Sequence, residues 1–149
     1  MVIFLDIDGV LVSGAGWKMP ELMEDGFPVF TIKSIEALSL LITPTSNVIL
    51  TTSHRNRYSI EKWKEIFHLR GIHLNHLSRL KASGEQSNRK EEILQWFKKN
   101  SIPENFVIID DDKQLHALPS YLKRHLVITD SIIGLTKEDI SELKSLITS

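Results

Sequence analysis

Short apolar runs alternate with amphipathic segments along most of the 149-residue chain. The runs are rich in β-branched and aromatic residues, a composition typical of strands buried on both faces of a parallel sheet. Four such strands are predicted, at 2–5, 48–50, 106–109 and 126–128. A further short strand is predicted between Ile72 and Leu80, where polar residues interrupt the apolar pattern.

Apolar residues at helical spacing predict four helices, from Thr31 through Leu41, from about Ser59 to His68, from Lys90 to about Lys99, and from Thr136 onward. We expect Thr31 to cap the first helix. Thr136 and Asp139 are expected to form a capping box for the last, which has Ile147 on its apolar side. Strands that alternate with helices indicate an α/β fold: a doubly wound, Rossmann-like parallel sheet of about five strands with helices on both faces.

Length and composition favour one domain over residues 1–149, because no repeat or linker divides the chain. No apolar run approaches the ~18 residues of a membrane span. The N-terminal run lacks the basic flank of a signal peptide. Since the sequence also contains no cysteine, disulfides and thiolate metal sites are excluded, and we expect a cytoplasmic protein without a membrane partner.

Charge is unevenly distributed along the chain, although the net charge is only −1. Residues 51–100 carry 11 basic and 5 acidic side chains, whereas both flanking segments are acidic. The small net charge argues against a broad nucleic-acid footprint. The basic middle third indicates either solvated helix faces or a local field that attracts an anionic substrate.

Asp6 and Asp8 directly follow the first predicted strand. In an open parallel sheet, ligands bind beyond the carboxyl ends of the strands, where this pair lies. Two carboxylates so close together repel each other unless a cation such as Mg²⁺ holds them. The alternative is an ordinary acidic turn. An EF-hand calcium loop is excluded because Val10 and Leu11 occupy its fifth and sixth positions and a strand precedes it.

Polar side chains also follow two later strands. Thr51 and Thr52 come directly after the second strand, and Asp110 and Asp111 end the strand that precedes the last one. Lys90 begins the helix that leads to this acidic pair. Because the carboxyl ends of parallel strands meet at one edge of a sheet, all these groups are expected to lie together.

In order and spacing, these motifs resemble those of the haloacid dehalogenase (HAD) superfamily of phosphohydrolases. Phe4–Val10 matches its first motif, an apolar strand followed by Asp-x-Asp-x-(Thr/Val), and Ile108–Asp111 matches its fourth, an apolar strand ending in paired acids. Val48–Thr51 and Lys90 match the second and third motifs, which are weak alone. A two-component receiver domain shares these residue types but places its lysine last, whereas here the lysine precedes the acidic pair.

The resemblance implies a Mg²⁺-dependent phosphatase that forms an aspartyl-phosphate. Asp6 would be the nucleophile, and Asp8 would act first as general acid and then as general base. Mg²⁺ would be held by Asp6, the backbone carbonyl of Asp8 and the Asp111 carboxylate, with help from Asp110. Without cations, these carboxylates would repel an anionic substrate.

The resemblance also implies roles for polar groups around the acids. Thr51, or in its place Thr52 or Ser53, would donate a hydrogen bond to a phosphoryl oxygen. Lys90, or in its place Lys81, would offset the negative charge of the site. Arg55 follows the second motif, where superfamily members that process nucleic-acid ends use an arginine to hold phosphate. Whether Arg55 contacts the substrate stays open.

The segments between the motifs are too short for a separate cap domain: 11–30 is an irregular loop, and 55–89 holds one helix and the short strand. An open site suits a bulky phosphorylated substrate such as a nucleic-acid end or a phosphoprotein, and Trp17 is a candidate for its mouth or for the core. The 127–136 segment also resembles small capless members found with RNA-repair enzymes. Two alternatives stay open, a phosphatase of small nucleotides or metabolites and a catalytically idle HAD-like regulatory domain.

Overall fold

Five parallel strands form one sheet in the order β3-β2-β1-β4-β5. The computed structural model describes residues 1–14, 19–82, 84 and 88–148, with the last two of these by their backbone alone. The strands are β1 (Val2–Leu5), β2 (Asn47–Leu50), β3 (His76–Arg79), β4 (Phe106–Asp110) and β5 (Leu126–Ile128). The first strand in the chain is therefore the central strand of the sheet, and the predicted α/β class is confirmed.

Helices cover both faces of the sheet. They are α1 (Ile32–Ser39), α2 (Ile60–Leu69), α3 (Arg89–Lys99), α4 (Ser120–Lys123) and α5 (Lys137–Thr148), with a 3₁₀ helix at Lys113–Ala117. Buried residues of α1, α2 and α5 share one hydrophobic core, and those of α3, α4 and the 3₁₀ helix share the other. Alternate residues of β1 pack into the two cores: Ile3 and Leu5 belong to the first, and Phe4 belongs to the second.

Side-chain caps fix where the first and last helices begin, as predicted. The Thr31 hydroxyl accepts a hydrogen bond from the backbone N–H of Ser34 at 3.2 Å. Thr136 and Asp139 form the reciprocal capping box, in which each backbone N–H donates to the side chain of the other residue, at 3.0 and 3.3 Å. Each cap satisfies backbone donors that a helix start would otherwise leave unpaired.

The structure refines several predicted boundaries. The first helix ends at Ser39, before the predicted Leu41, and β4 extends by one residue to include Asp110. The 3₁₀ helix and α4 were not predicted, because elements of four or five residues are too short to show a helical period. The predictions for Trp17 and for the Ile147 side chain lie outside the described residues. Within the described ranges, no separate cap is present, and no helix combines the length and apolarity of a membrane span.

The register of the sheet aligns the polar strand ends. The backbone N–H of Asp6 donates to the carbonyl oxygen of Ile109 at 3.0 Å, and that of Thr51 donates to the carbonyl oxygen of Leu5 at 2.9 Å. Asp6 therefore lies between Thr51 on one neighbouring strand and Asp110 on the other. Residues at the same level of adjacent parallel strands point to the same side of the sheet, so these three side chains converge.

An ion pair between Arg70 and Asp25 predicts acid sensitivity of the fold. The Arg70 guanidinium is almost fully buried and donates to both carboxylate oxygens of Asp25, at 2.7 and 3.0 Å. These hydrogen bonds hold the pKa of Asp25 below its ordinary value of 3.8. The stabilisation is thus present above pH 4 and is lost as the pH falls through and below that value. We expect Asp25→Asn to lower the free energy of unfolding at pH 7 by about 1–3 kcal/mol.

Urea denaturation of wild type and Asp25→Asn at pH 7 and pH 3 measures this effect. The two proteins should differ most at pH 7, and the difference should be smaller at pH 3. The surface variant Glu24→Gln, one residue away and exposed, serves as control. An equal difference between wild type and Asp25→Asn at both pH values would contradict the assignment.

Candidate active site

Three carboxylates meet at the carboxyl ends of β1 and β4. Asp6, Asp110 and Asp111 each offer one oxygen, and these oxygens all lie within 4.8 Å of one another. Asp6 is 4 % exposed and Asp110 is fully buried, whereas Asp111 is half-buried. Hard oxygen ligands at this spacing are the donor set that Mg²⁺ or a similar divalent cation prefers. The described residues therefore fit a divalent cation at this edge of the sheet.

The electrostatics of the cluster also favour a cation. Burial and the charge of Asp110 together raise the pKa of Asp6 to about 9, against the opposing effect of Arg89. Burial likewise raises the pKa of Asp110, against the effect of Arg89. At neutral pH, the protein alone therefore keeps a proton on this carboxyl pair. A divalent cation supplies the positive charge that lets both groups ionise.

Arg89 is the basic side chain that the structure places against the acids. Its Nη1 atom lies 3.6 Å from Oδ2 of Asp6 and also donates a hydrogen bond to Oδ2 of Asp110. Lys90, the residue predicted for this role, forms no ion pair with any described residue. Neighbouring residues of a helix point about 100° apart, so only one of the two can face the site. The structure thus favours Arg89 over Lys90 as the charge partner.

Asp111 is held by its surroundings at the edge of the cluster. The Ser131 hydroxyl donates to Oδ2 of Asp111 at 2.9 Å. Gly9 has a φ of +78°, and a Cβ atom added there would lie 2.0 Å from the same oxygen. The Thr129 hydroxyl donates to the carbonyl oxygen of Gly9 at 2.7 Å and holds this backbone in place. Glycine is therefore required at position 9 both for its conformation and for the space that Asp111 occupies.

The Asp8 side chain lies outside the carboxylate cluster. It is 58 % exposed, and its Oδ2 atom lies 3.4 Å from Nε2 of His54, itself an exposed residue. Among the four predicted metal-binding residues, Asp8 is expected to contribute its backbone carbonyl, and this role stays a prediction. A solvent-accessible carboxylate beside the cluster is suited to exchange protons with water and with a leaving group.

The two threonines after β2 differ in their hydrogen bonding. The Thr52 hydroxyl accepts from the backbone N–H of His54 at 3.3 Å. The Thr51 hydroxyl is buried and has no hydrogen-bond partner in the described part of the chain. Leaving a buried hydroxyl unsatisfied costs about 1–3 kcal/mol, so a ligand oxygen at this position would be favoured. Thr51 is therefore the stronger candidate for the phosphate contact.

The buried Arg55 side chain forms hydrogen bonds with other groups of the protein. It is 6 % exposed, and its guanidinium donates to the carbonyl oxygens of Leu80, Thr51 and Thr52. The remaining nitrogen pairs with the buried carboxylate of Glu92. These contacts favour the structural role over the substrate contact, because a buried arginine with this full set of acceptors has little left to offer a phosphate. Arg55 joins the end of β2 to the end of β3 and to α3.

Three residues of this site were not predicted from the sequence: Arg89, Thr129 and Ser131. Arg89 precedes Lys90, and the choice between adjacent basic residues depends on where the helix begins. Thr129 and Ser131 follow β5. Because the carboxyl ends of parallel strands meet at one edge of the sheet, these hydroxyls could be expected at the site as well. A search of all five strand ends would have included both hydroxyls.

Comparison with known protein families gives one match over most of the chain. The family model described as "HAD domain in Swiss Army Knife RNA repair proteins" matches residues 2–140. Searches of curated proteins and of solved structures found no match. The matched range includes every strand and every residue of the carboxylate cluster.

Proposed function

Because the chain belongs to the family of HAD domains found in Swiss Army Knife RNA repair proteins, we propose that it is a Mg²⁺-dependent phosphomonoesterase that acts through an aspartyl-phosphate. Membership of the family indicates phosphohydrolase chemistry in general. The finer proposal rests on one observation, the convergence of Asp6, Asp110 and Asp111 beside Arg89 at the strand ends. A catalytically idle domain gives no reason to bury mutually repelling acids at this edge.

The proposed reaction has two steps that share one acid/base residue. Asp6 attacks phosphorus, and the bond from phosphorus to the leaving oxygen breaks as Asp8 gives that oxygen a proton. Asp8 then takes a proton from water, the water oxygen attacks phosphorus, and the bond to Asp6 breaks to release inorganic phosphate. Asp6, Asp110 and Asp111 would hold a divalent cation, which would supply charge neutralisation at the phosphoryl oxygens. The Thr51 hydroxyl donates to one of these oxygens, and Arg89 offsets the local negative charge.

The proposed substrate is a phosphorylated nucleic-acid end. The family description names RNA repair proteins, and the segment that flanks the site, 51–100, is the basic part of the chain. The described residues include no cap domain over the strand ends. An uncovered site admits a polymer end, whereas small substrates are usually enclosed.

Hydrolysis assays of the purified protein test this proposal. The substrates are p-nitrophenyl phosphate, oligoribonucleotides with a 3′- or a 5′-phosphate, nucleoside monophosphates and a phosphopeptide, each with Mg²⁺ or with EDTA. We expect Mg²⁺-dependent phosphate release, with the highest kcat/KM on one oligonucleotide end. Absence of hydrolysis on every substrate would contradict the enzymatic proposal. A preference for the monophosphates or the phosphopeptide would contradict the proposed substrate.

Gly9→Ala is expected to weaken cation binding. The new methyl group would displace the Asp111 carboxylate, because the two would lie 2.0 Å apart. Displacing a ligand in this way typically weakens metal affinity about 10–100-fold. Titration with Mn²⁺ by calorimetry measures the effect. Gly71→Ala is a matched control, since Gly71 has a similar φ of +84° and no atom within 4 Å of the added Cβ. Equal Mn²⁺ affinity in both variants would contradict the role of Asp111.

A further inference from the structure

A groove lies between the end of β3 and the outer side of α3. Its volume is about 330 Å³, within the range of sites that bind small organic groups. The side chains that matter for its chemistry are Lys81 on the β3 side and Glu92, Trp96 and Lys99 on α3. We call this feature the α3 groove. It is separate from the carboxylate cluster, and the proposed phosphatase mechanism uses none of its residues.

One end of the α3 groove adjoins the candidate active site. Leu80, which lines the groove, accepts a hydrogen bond from Arg55 at 2.6 Å, and Arg55 also donates to the carbonyl oxygen of Thr51. Along α3, Glu92 follows Arg89 by three residues, a rise of about 4.5 Å. From Glu92, the groove continues to Asn100, about 12 Å further along the helix axis. The Glu92 end of the α3 groove therefore lies within one helical turn of Arg89, which contacts Asp6 and Asp110.

The charge of the α3 groove favours an anionic polymer. Lys81 and Lys99 are exposed, and neither forms an ion pair with any described residue. Glu92, the acid in the groove, is buried and paired with Arg55, so its charge is already neutralised. Two lysines at the rim can therefore approach successive phosphates, and none of the residues that line the groove is an unpaired acid.

Trp96 gives the α3 groove an aromatic wall. The ring is half-buried and packs edge-on against Phe4 and Phe97, with centroids 5.0 Å apart in each case. These contacts fix the indole in one orientation. An aromatic ring held in place beside basic side chains is the usual design of a site that stacks a nucleobase and holds the adjoining phosphates.

We propose that the α3 groove binds the single-stranded nucleic-acid segment that leads to the terminal phosphate. One base stacks on Trp96, and backbone phosphates lie against Lys81 and Lys99. The groove is long enough for at least two nucleotides, whose stacked spacing is about 3.4 Å along one strand. The link to a terminal phosphate rests on the proposed function, whereas binding of the strand itself requires no catalysis.

Fluorescence anisotropy with the intact protein in EDTA tests the proposal. The probe is a fluorescein-labelled, eight-nucleotide oligoribonucleotide without a terminal phosphate. The double variant Lys81→Gln/Lys99→Gln should weaken binding about tenfold or more and reduce the slope of log Kd against log salt by about 1.4, since each phosphate contact contributes about 0.7. Trp96→Leu should weaken binding about tenfold, and Trp96→Phe should restore most of it.

Lys33→Gln is the matched control, because Lys33 is an exposed lysine on α1, across the sheet from α3. Its Kd should equal that of wild type. Failure of wild type to bind, an equal loss in Lys33→Gln, or equal competition by an acidic peptide would each overturn the groove assignment. Oligonucleotide binding with the expected salt and variant effects, but no phosphatase activity on any substrate, would support the groove and overturn the proposed function. Failure of the groove assignment and failure of the proposed function are therefore distinguishable.

Discussion

Asp6→Asn is expected to lower kcat/KM for p-nitrophenyl phosphate by about 10³-fold or more. An amide is a poor nucleophile, so this variant cannot follow the proposed aspartyl-phosphate pathway. The change should not unfold the protein. Asp6 is 4 % exposed, its charged form is disfavoured by burial, and the amide can still donate a hydrogen bond to Asp110. Activity should therefore fall while the melting temperature measured in EDTA is retained.

Asp112→Asn is the matched control for Asp6→Asn. Asp112 lies in the same run of acids, but its carboxylate caps the 3₁₀ helix by accepting from the backbone N–H of Gln114 at 2.9 Å. Asparagine caps as well as aspartate, so kcat/KM should stay within about twofold of wild type. Asp8→Asn should lower kcat/KM by about 10²–10⁴-fold, the usual contribution of a general acid. Retained activity in Asp6→Asn would exclude this residue as the nucleophile.

Arg89→Gln is expected to lower kcat/KM by about 10²-fold. The guanidinium contacts both buried acids, and its removal leaves their negative charge without a fixed cation in the protein. Arg89→Lys should recover only part of the activity, because an ammonium group is a point charge and does not reproduce the planar fork of arginine. Steady-state kinetics with p-nitrophenyl phosphate at saturating Mg²⁺ measure both variants.

Lys90→Gln decides between the two adjacent basic residues. Lys90 forms no ion pair with a described residue, so its loss should change kcat/KM by no more than about threefold. The sequence motif predicts the opposite order, with the larger loss at Lys90. A larger loss in Lys90→Gln than in Arg89→Gln would therefore restore the assignment made from the sequence and contradict the one made from the structure.

Most of the fold could be predicted because its strands are buried on both faces. Such strands are continuous apolar runs in the sequence, as β1 and β4 are. The starts of some helices could be predicted as well, because a residue type such as Thr31 is a favoured N-cap. The weak strand β3 has an exposed, polar sequence because it lies at the sheet edge, so its bounds could not be fixed. The 3₁₀ helix and α4 depend on tertiary packing of Leu115 and Leu122, and no periodic sequence pattern indicates that packing.

The acids of the candidate site could be predicted, but several of its contacts could not. Carboxylates at strand ends are visible in the sequence because the sheet topology brings them together. The direction of a long basic side chain depends on its rotational position around the helix. This position turns Arg89 toward the acids and Lys90 away from them. Burial decides whether an arginine is available to a substrate, and Arg55 is enclosed by partners from β3 and α3. Neither property is set by the local sequence.

The wide separation of β1 and β4 along the chain delays assembly of the carboxylate cluster during synthesis. Asp111 lies 105 positions after Asp6 in the chain, a delay of about 5–20 s at ordinary translation rates. Until then, β1 lacks the neighbour β4, and no nascent chain can close the cation site. Closing so long a segment also slows folding. Cation binding would accordingly report that β4 has paired with β1, which makes Mn²⁺ capture a direct probe of that folding step.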